Sequence, residues 1–596
     1  MTSADPNPPA ASEAGGGGAV IAKELAARGL DVLLLEAGPR FADPERDWSH
    51  FESDANNPAS GYFRFGPADR SKAPWVRELA QSMLFVQLSG VGGTTNHYQG
   101  NSPRAVLGVF ADYRGADMGA YDRDHLFPFP YRELLPYYEW VEHTLPVQTA
   151  PMGLKEEAFF HGAQLLGLPL ETTKNITRAA FRPQQNAILQ PRGNAGKTGD
   201  PDRLMFPHAQ GCTFCGHCSQ GCFEPLRAPI NLKAKRSTSV SYIPMALTCD
   251  RWSRTGRPVT LIADAFAVRI GTDGDAARSL TWRIGATGEV LTEEARAIVL
   301  SCGTVETPRL WLNSGLPNPN GWVGRGLTDH FVDAVTGLMP FDTASSRGPG
   351  SGGRIDYPGK GMLEVVGETP GLRAALSAFS DAGIPGFYDN GHSGAAHGAD
   401  VVGRLIGKDL KEAMSNVDRL LNIDVFTDDD VEAQNGVTLS SSFPPDEHGP
   451  VPRIELQHRN RSSRTVANRE FLVEEAVRLL RALGAKKVYR IHKPPFVIHS
   501  HSTMRMGQNA ADSVLDSSGE ARWVKRLFVA DNSALANGLG GPNPTLTAQA
   551  LATRTAEKIF ERYFGGDRWV GKEDPVSSIE PAITQAIAEG RLEMHH

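Results

Sequence analysis

The sequence predicts an α/β protein that opens on a Rossmann-like nucleotide-binding unit whose first strand is missing. Two observations carry this. Near the start, a glycine-rich stretch runs into a helix, an apolar strand and an acid; near the end, a short apolar strand precedes a helix opened by Asn-Pro-Thr. Size adds a third: 596 residues point to two or more domains around separate cores.

The start, MTSADPNPPAASEAGGGG, contains three prolines and almost no β-branched residues between Thr2 and Ser12, so no buried strand is expected there. Residues 1–12 read as a disordered N-terminus. Ala19 to Arg28 has helical composition with Val20, Ile21, Leu25 and Ala26 on one face, and Gly29 ends it. Asp31 to Glu36 reads as a buried parallel strand closed by an acid. Glycines at a helix start let backbone approach a pyrophosphate, whose charge the helix N-terminus stabilises. Glu36 lies 18 residues past Gly18, near the spacing of an acid that bonds ribose hydroxyls. Of the three fingerprint positions, Gly15 and Gly18 are glycines and Glu13 takes the place of the first. The bland alternative is a glycine-rich linker before an ordinary βα unit.

Composition excludes several classes. Net charge is −7, so no basic face argues for nucleic acid. No apolar run has the length of a bilayer-spanning helix. The start lacks the charged and apolar regions of a signal peptide, which points to the cytoplasm; the alternative is a periplasmic location through co-export with a partner subunit. With 62 glycines, 41 prolines and 40% hydrophobic residues, the chain reads as a large loop-rich enzyme with a packed core.

Cys212, Cys215, Cys218 and Cys222 are spaced C-x2-C-x2-C-x3-C. Thiolates at this spacing can converge on one iron–sulfur cluster, as in bacterial ferredoxins, although Phe223 stands where those have proline. Zinc, disulfides and free buried thiols stay open as alternatives. Cys249 and Cys302 are isolated and read as small core residues.

At the C-terminal end, HSHSTMRMG precedes the apolar strand Leu527 to Ala530, and Asn543-Pro544-Thr545 opens a helix running to about Phe560. His499 and Asn543 are thereby two polar side chains 44 residues apart.

These segments, with VGGTTNHYQGNSPR (Val91 to Arg104), GTVETPRLWLNSGL (Gly303 to Leu316), VGRGLTDH (Val323 to His330), NGVTLS (Asn435 to Ser440) and DEHGPVP (Asp446 to Pro452), resemble the glucose–methanol–choline (GMC) family of FAD-dependent oxidoreductases. Several motifs in family order are far more specific than any one alone. The resemblance runs from about Gly15 to Phe560. It implies FAD, with Gly15, Gly18 and Glu36 around the ADP half and Gly92, Gly93 and Thr94 near the pyrophosphate and flavin, Asn96 nearby. Val268 would contact adenine through its backbone, Asp531 would lie near the ribityl–phosphate region, and Pro544 and Thr545 by the flavin ring.

Oxidising an alcohol means losing a hydroxyl proton and a carbinol hydride, and a histidine suits the proton. By resemblance His499 is that base, four residues before Thr503, and Asn543 bonds the substrate oxygen. His501 competes: on an extended Val497 to Ser502 it would share a face with His499. The cysteine run resembles that of sugar and gluconate dehydrogenase catalytic subunits, which implies an electron exit through a cluster to a small subunit or a cytochrome.

The resemblance divides the chain into a discontinuous FAD-binding domain (13–150, 205–330 and 491–565), an α+β substrate domain built on an antiparallel sheet (151–204 and 331–490) and a C-terminal tail (566–596). Ser345 to Gly353 reads as a mobile loop near the site, Asp428 to Asp430 as a solvated trio, and Lys233, Lys235 and Arg236 as solvated surface. The function implied is an FAD-dependent dehydrogenase for the CH–OH group of a sugar or polyol. Alternatives are an oxygen-reducing alcohol oxidase with structural cysteines and a non-redox, degenerate flavoprotein.

Overall fold

The computed structural model describes residues 10–11, 14–47, 65–81, 83–191, 211–378, 395–491 and 496–590. Two sheets position everything that follows. The first has five parallel strands in the order Leu527–Val529, Ile298–Leu300, Ala10–Ala11, Leu33–Leu35 and Thr260–Ile262. Leu33–Leu35, Ile298–Leu300 and Leu527–Val529 are short, fully buried apolar runs, the pattern of strands covered on both faces, while Thr260–Ile262 forms an edge.

The missing first strand is corrected. Ala10 pairs with Ile298 on one side and Leu33 on the other, and Ala11 with Val299 and Leu34. The strand is central, so residues 1–12 are not wholly disordered; residues 1–9, 12 and 13, Glu13 among them, lie outside the described residues. Neighbours on both sides supply the backbone ladder, so this strand needs no β-branched side chain of its own.

The Gly18–Ala27 helix follows, buried along its whole length, and packs against the Tyr242–Leu247 and Thr545–Phe564 helices. The segment that carries Val268 is two strands: Asp264, at φ +55°, separates Thr260–Ile262 from Ala265–Asp273.

The second sheet has seven strands in the order Val401–Val402, Lys487–Arg490, Asp333–Leu338, Leu420–Thr427, Gly361–Val366, Ser351–Tyr357 and Ala180–Pro183. It is antiparallel except for its Val401–Val402 edge. The Ser463–Ala482 helix covers one face: Leu472, Val473, Leu479 and Leu480 share a core with Val335, Leu363, Val365 and Ile423. Because side chains alternate along a strand, Glu364 and Val366, Asp424 and Phe426 project to the other face.

Three loop readings are corrected by the same packing. Ser351 to Gly353 belong to a buried strand, not a mobile loop. Asp428 and Asp429 are buried and ion-paired with Arg464 and Arg461 respectively, and Asp430 with Arg464. Lys233, Lys235 and Arg236 are buried too.

Candidate active site

A cavity of about 290 Å³ lies where the two sheets meet. One end is made by the Gly15–Gly17 loop at the foot of the Gly18–Ala27 helix, with Gly93 and Thr94 beside it. This end tolerates nothing larger than glycine at two points. A Cβ on Gly17 would stand 1.5 Å from the Ala530 carbonyl oxygen, and one on Gly93, at φ +50°, 2.9 Å from Gly15 Cα. Backbone so close-packed at a helix N-terminus is a cradle for a phosphate group. The residues present therefore fit the pyrophosphate of FAD.

Of the residues expected at the cofactor, Gly15, Gly93, Thr94, Asp531, Pro544 and Thr545 line this cavity. Gly18 is the first residue of the helix. Asp531 is fixed by donors from Gly303 N at 3.0 Å, Thr307 Oγ1 at 2.7 Å and Ser533 N at 2.6 Å. Val268 lines a separate, small cavity of about 10 Å³ with Phe266 and His448, whose rings stack at 3.8 Å. Gly92 and Asn96 shape the loop instead: Gly92 sits at φ +99°, and the Asn96 amide donates to Val91 O and accepts from Ser239 Oγ. Glu36 lines neither cavity. Its carboxylate accepts from the backbone N–H groups of Ala14, Gly38 and Gly90, tying three segments together, while burial pushes its carboxyl up.

At the other end of the cavity, His499 Nε2 stands 3.3 Å from Asn543 Nδ2. His330, which the sequence did not single out, completes the group: its Nδ1 lies 3.0 Å from His499 Nδ1, and its Nε2 3.0 Å from the Gly538 carbonyl. A carbonyl only accepts, so His330 Nε2 carries the proton and Nδ1 is bare. His499 must then donate from Nδ1, which leaves its Nε2 lone pair beside Asn543. Both rings are neutral. Burial is the first cause, lowering His330 to about 4 and holding His499 well below the usual imidazole range. The His499 backbone is anchored by its N–H to Asp329 Oδ1 at 3.0 Å. His501 is buried behind this group, exchanging backbone hydrogen bonds with Thr328, and does not line the cavity.

The expectation of a cluster at the cysteine run finds no support among the described residues. Cys212, Cys215, Cys218 and Cys222 are free thiols, and Cys212, Cys218 and Cys222 share a small core with Ile188, Phe214 and Ala234. Among the described residues, no group of three or more His, Cys, Asp or Glu is placed to hold a metal ion. Burial, and the neighbouring cysteines after it, push the Cys212, Cys215 and Cys222 thiols up. Lys235 braces the run, donating to the carbonyls of Asn96, Tyr98 and Cys218 at 2.6, 2.8 and 2.6 Å.

Fold and site define a flavin-dependent oxidoreductase acting on CH–OH donors. The N-terminal family model of the GMC oxidoreductases matches residues 195–332 and the C-terminal one residues 432–552. Both matches are to GMC oxidoreductase models. It is 26% identical to 2-methyl-1,2-propanediol dehydrogenase of Mycolicibacterium austroafricanum over 94% of this chain and 96% of that one. It is 26% identical to paromamine 6'-oxidase of Streptomyces fradiae, over 91% and 90% of the two chains. It is 23% identical to the fructose dehydrogenase large subunit of Gluconobacter japonicus, over 91% and 96%. Among solved structures, pyridoxine 4-oxidase from Mesorbium loti shares the fold with TM-score 0.62 at 16% identity, covering 93% of this chain and 99% of that one.

Proposed function

We propose that this chain is an FAD-dependent dehydrogenase that oxidises the CH–OH group of a sugar or polyol, with His499 as base. The observation that supports this reading is the tautomer of His499, whose bare Nε2 faces the cavity beside the Asn543 amide. Relatives named for a diol and for fructose support the substrate class.

Bound flavin supplies the hydride acceptor. Gly15, Gly93, Thr94, Asp531, Pro544 and Thr545 would hold it. The substrate hydroxyl would lie on the cavity side, within hydrogen-bonding reach of both His499 Nε2 and Asn543 Nδ2. Nε2 takes its proton, Asn543 donates to the oxygen as it becomes a carbonyl, and His330 continues to accept from Nδ1. Phe426, Ile498 and Leu372 line the cavity and exclude water around the carbinol. Reoxidation by an external acceptor, a small subunit or a cytochrome, belongs to the same proposal. No step runs through the cysteines.

His499→Ala tests it. Alcohol-dependent bleaching of the bound flavin should slow by roughly 10²–10⁴-fold, the usual loss on removing a general base, with FAD content unchanged. Bleaching at the wild-type rate would defeat the assignment.

A further inference from the structure

His330 and His499 face each other because of register. Thr328 and His501 form an antiparallel bridge, each donating its N–H to the other's carbonyl, at 3.2 and 2.7 Å. Two residues further along both segments, with side chains on the same face, His330 and His499 are opposite one another. A regular ladder would repeat its pair of hydrogen bonds here, with the His499 N–H donated to the His330 carbonyl. It does not. The bridge is isolated, and the His499 N–H goes to Asp329 Oδ1 at 3.0 Å.

A side chain has thus taken the place of a strand carbonyl at the catalytic pair. A continued ladder would set the two Cα atoms about 5.5 Å apart with the side chains parallel. The rings instead meet at 73°, with centroids 4.9 Å apart and Nδ1 to Nδ1 at 3.0 Å. Meeting edge to face in this way lets one ring donate to the other. The His330 N–H bonds the same Asp329 carboxyl, so one group ties the backbones of both histidines.

That carboxyl is itself held from behind. Asp329 is buried and does not line the cavity, so it faces neither the alcohol nor the flavin space. Arg461 faces it and is ion-paired with Asp429, whose carboxyl accepts from Phe331 N at 3.1 Å. The Arg461 guanidinium also lies 4.2 Å over the Phe331 ring. Asp329, His330 and Phe331 are therefore fixed in succession by two carboxyls and one guanidinium. Burial pushes the Asp329 carboxyl up, while Arg461 and the two N–H groups pull it back. An acceptor is present in either state, because a protonated carboxyl keeps its carbonyl oxygen. What the residue contributes is the place of that acceptor.

We propose that Asp329 is a positioning residue for the base: by taking the His499 N–H in place of the His330 carbonyl, it sets the Nδ1–Nδ1 hydrogen bond through which His330 keeps the reactive tautomer of His499. This rests on the reading of His499 as the base of an alcohol dehydrogenase.

The test uses the FAD-loaded enzyme and follows anaerobic flavin bleaching against alcohol concentration, with whichever of glycerol, 1,2-propanediol and glucose wild type oxidises fastest. Asp329→Ala should lower the limiting rate by roughly 5–150-fold, the range for a buried polar group left without its partner, and leave the half-saturating concentration within about twofold. Asp329→Asn keeps an acceptor at the same reach and should stay within about twofold of the wild-type rate. Asp329→Glu moves the acceptor by one methylene and should be slow like alanine; it carries the test where the alanine variant loses FAD. In a His330→Phe background, where the ring contact is already gone, Asp329→Ala should cost no more than about twofold further. Alanine and glutamate variants both within about twofold of wild type, an asparagine variant as slow as they are, or the full penalty repeated in the His330→Phe background overturns the proposal and leaves His499 as base. A His499→Ala enzyme that bleaches at the wild-type rate overturns the base assignment and this role with it, and failure of all three alcohols to bleach wild type overturns the dehydrogenase reading itself.

Discussion

His330→Phe isolates the part of the site that sets the proton. Phenylalanine keeps the ring volume and the edge contact with Phe426, whose ring centroid lies 6.0 Å from that of His330. It removes two hydrogen bonds: the one accepted from His499 Nδ1 and the one donated to the Gly538 carbonyl, both at 3.0 Å. Each leaves a buried polar group unsatisfied, at about 1–3 kcal/mol apiece, so folding stability should fall by about 2–4 kcal/mol. His499 can relieve its orphaned N–H by moving the proton to Nε2. That tautomer aims a hydrogen at the Asn543 amide 3.3 Å away and has no lone pair for the substrate. Holding the reactive tautomer instead costs about 1–3 kcal/mol, or roughly 5–150-fold in the rate of flavin reduction. Anaerobic stopped-flow bleaching, with FAD content measured on the same sample, reads that rate. His330→Gln restores an acceptor and should recover part of it. A His330→Phe enzyme with full FAD and a rate within twofold of wild type would refute the tautomer argument.

Two further outcomes follow from burial and from backbone packing. His330, His499 and His501 are held neutral in the fold, their pKa values depressed chiefly by desolvation. The unfolded chain takes up these protons below pH about 6.5 and the native state does not. Their contribution is therefore fully present above that pH and is lost below it, at about 1.4 kcal/mol per pH unit per histidine, and for His330 down to about 4. Thermal unfolding midpoints between pH 7 and 5 should fall accordingly, while the rate of flavin reduction shows no protonation step near 6.5; a flat midpoint would contradict the burial argument. Gly17→Ala places a Cβ 1.5 Å from the Ala530 oxygen and should cost about 1–3 kcal/mol and FAD occupancy, whereas Gly119→Ala, with nothing within 4 Å, should change neither; equal FAD content in the two variants would show that the cradle yields.

What was legible in the sequence was what local pattern decides. The Gly18–Ala27 helix and the Asn-Pro-Thr opening of the Thr545–Phe564 helix lie within a few residues of where composition puts them. His499 and Asn543, 44 residues apart, do meet, because each precedes or opens an element that the sheet brings to one end of the cavity. The illegible parts share a cause: partners distant in sequence. Ala10–Ala11 is a strand because Ile298 and Leu33 flank it, not because alanine favours strands. Asp428 and Asp429 are buried because Arg464 and Arg461, at the start of the Ser463–Ala482 helix, neutralise them. His330 became part of the site through a contact 169 residues away, and its motif offered no cue to that role.

Glu364 and the cysteines show the same rule from opposite sides. A lone acid inside the apolar strand GMLEVV is a cue that could have been read, since a buried carboxyl in a sheet needs partners. Its partners, Asn101, Gln184 and Asn543, come from three other segments and turn it toward the base. The four cysteines present the stronger sequence signal, yet spacing constrains only the chain between them. A ligand set also requires thiolates in an environment that favours their charge. Here burial raises the thiols while the Lys235 ammonium, whose three donors go to backbone carbonyls, pulls Cys222 the other way. The chemistry of a motif is thus decided by what surrounds its side chains: Glu364 is held by amides from three other segments, and Cys212, Cys218 and Cys222 pack with Ile188, Phe214 and Ala234.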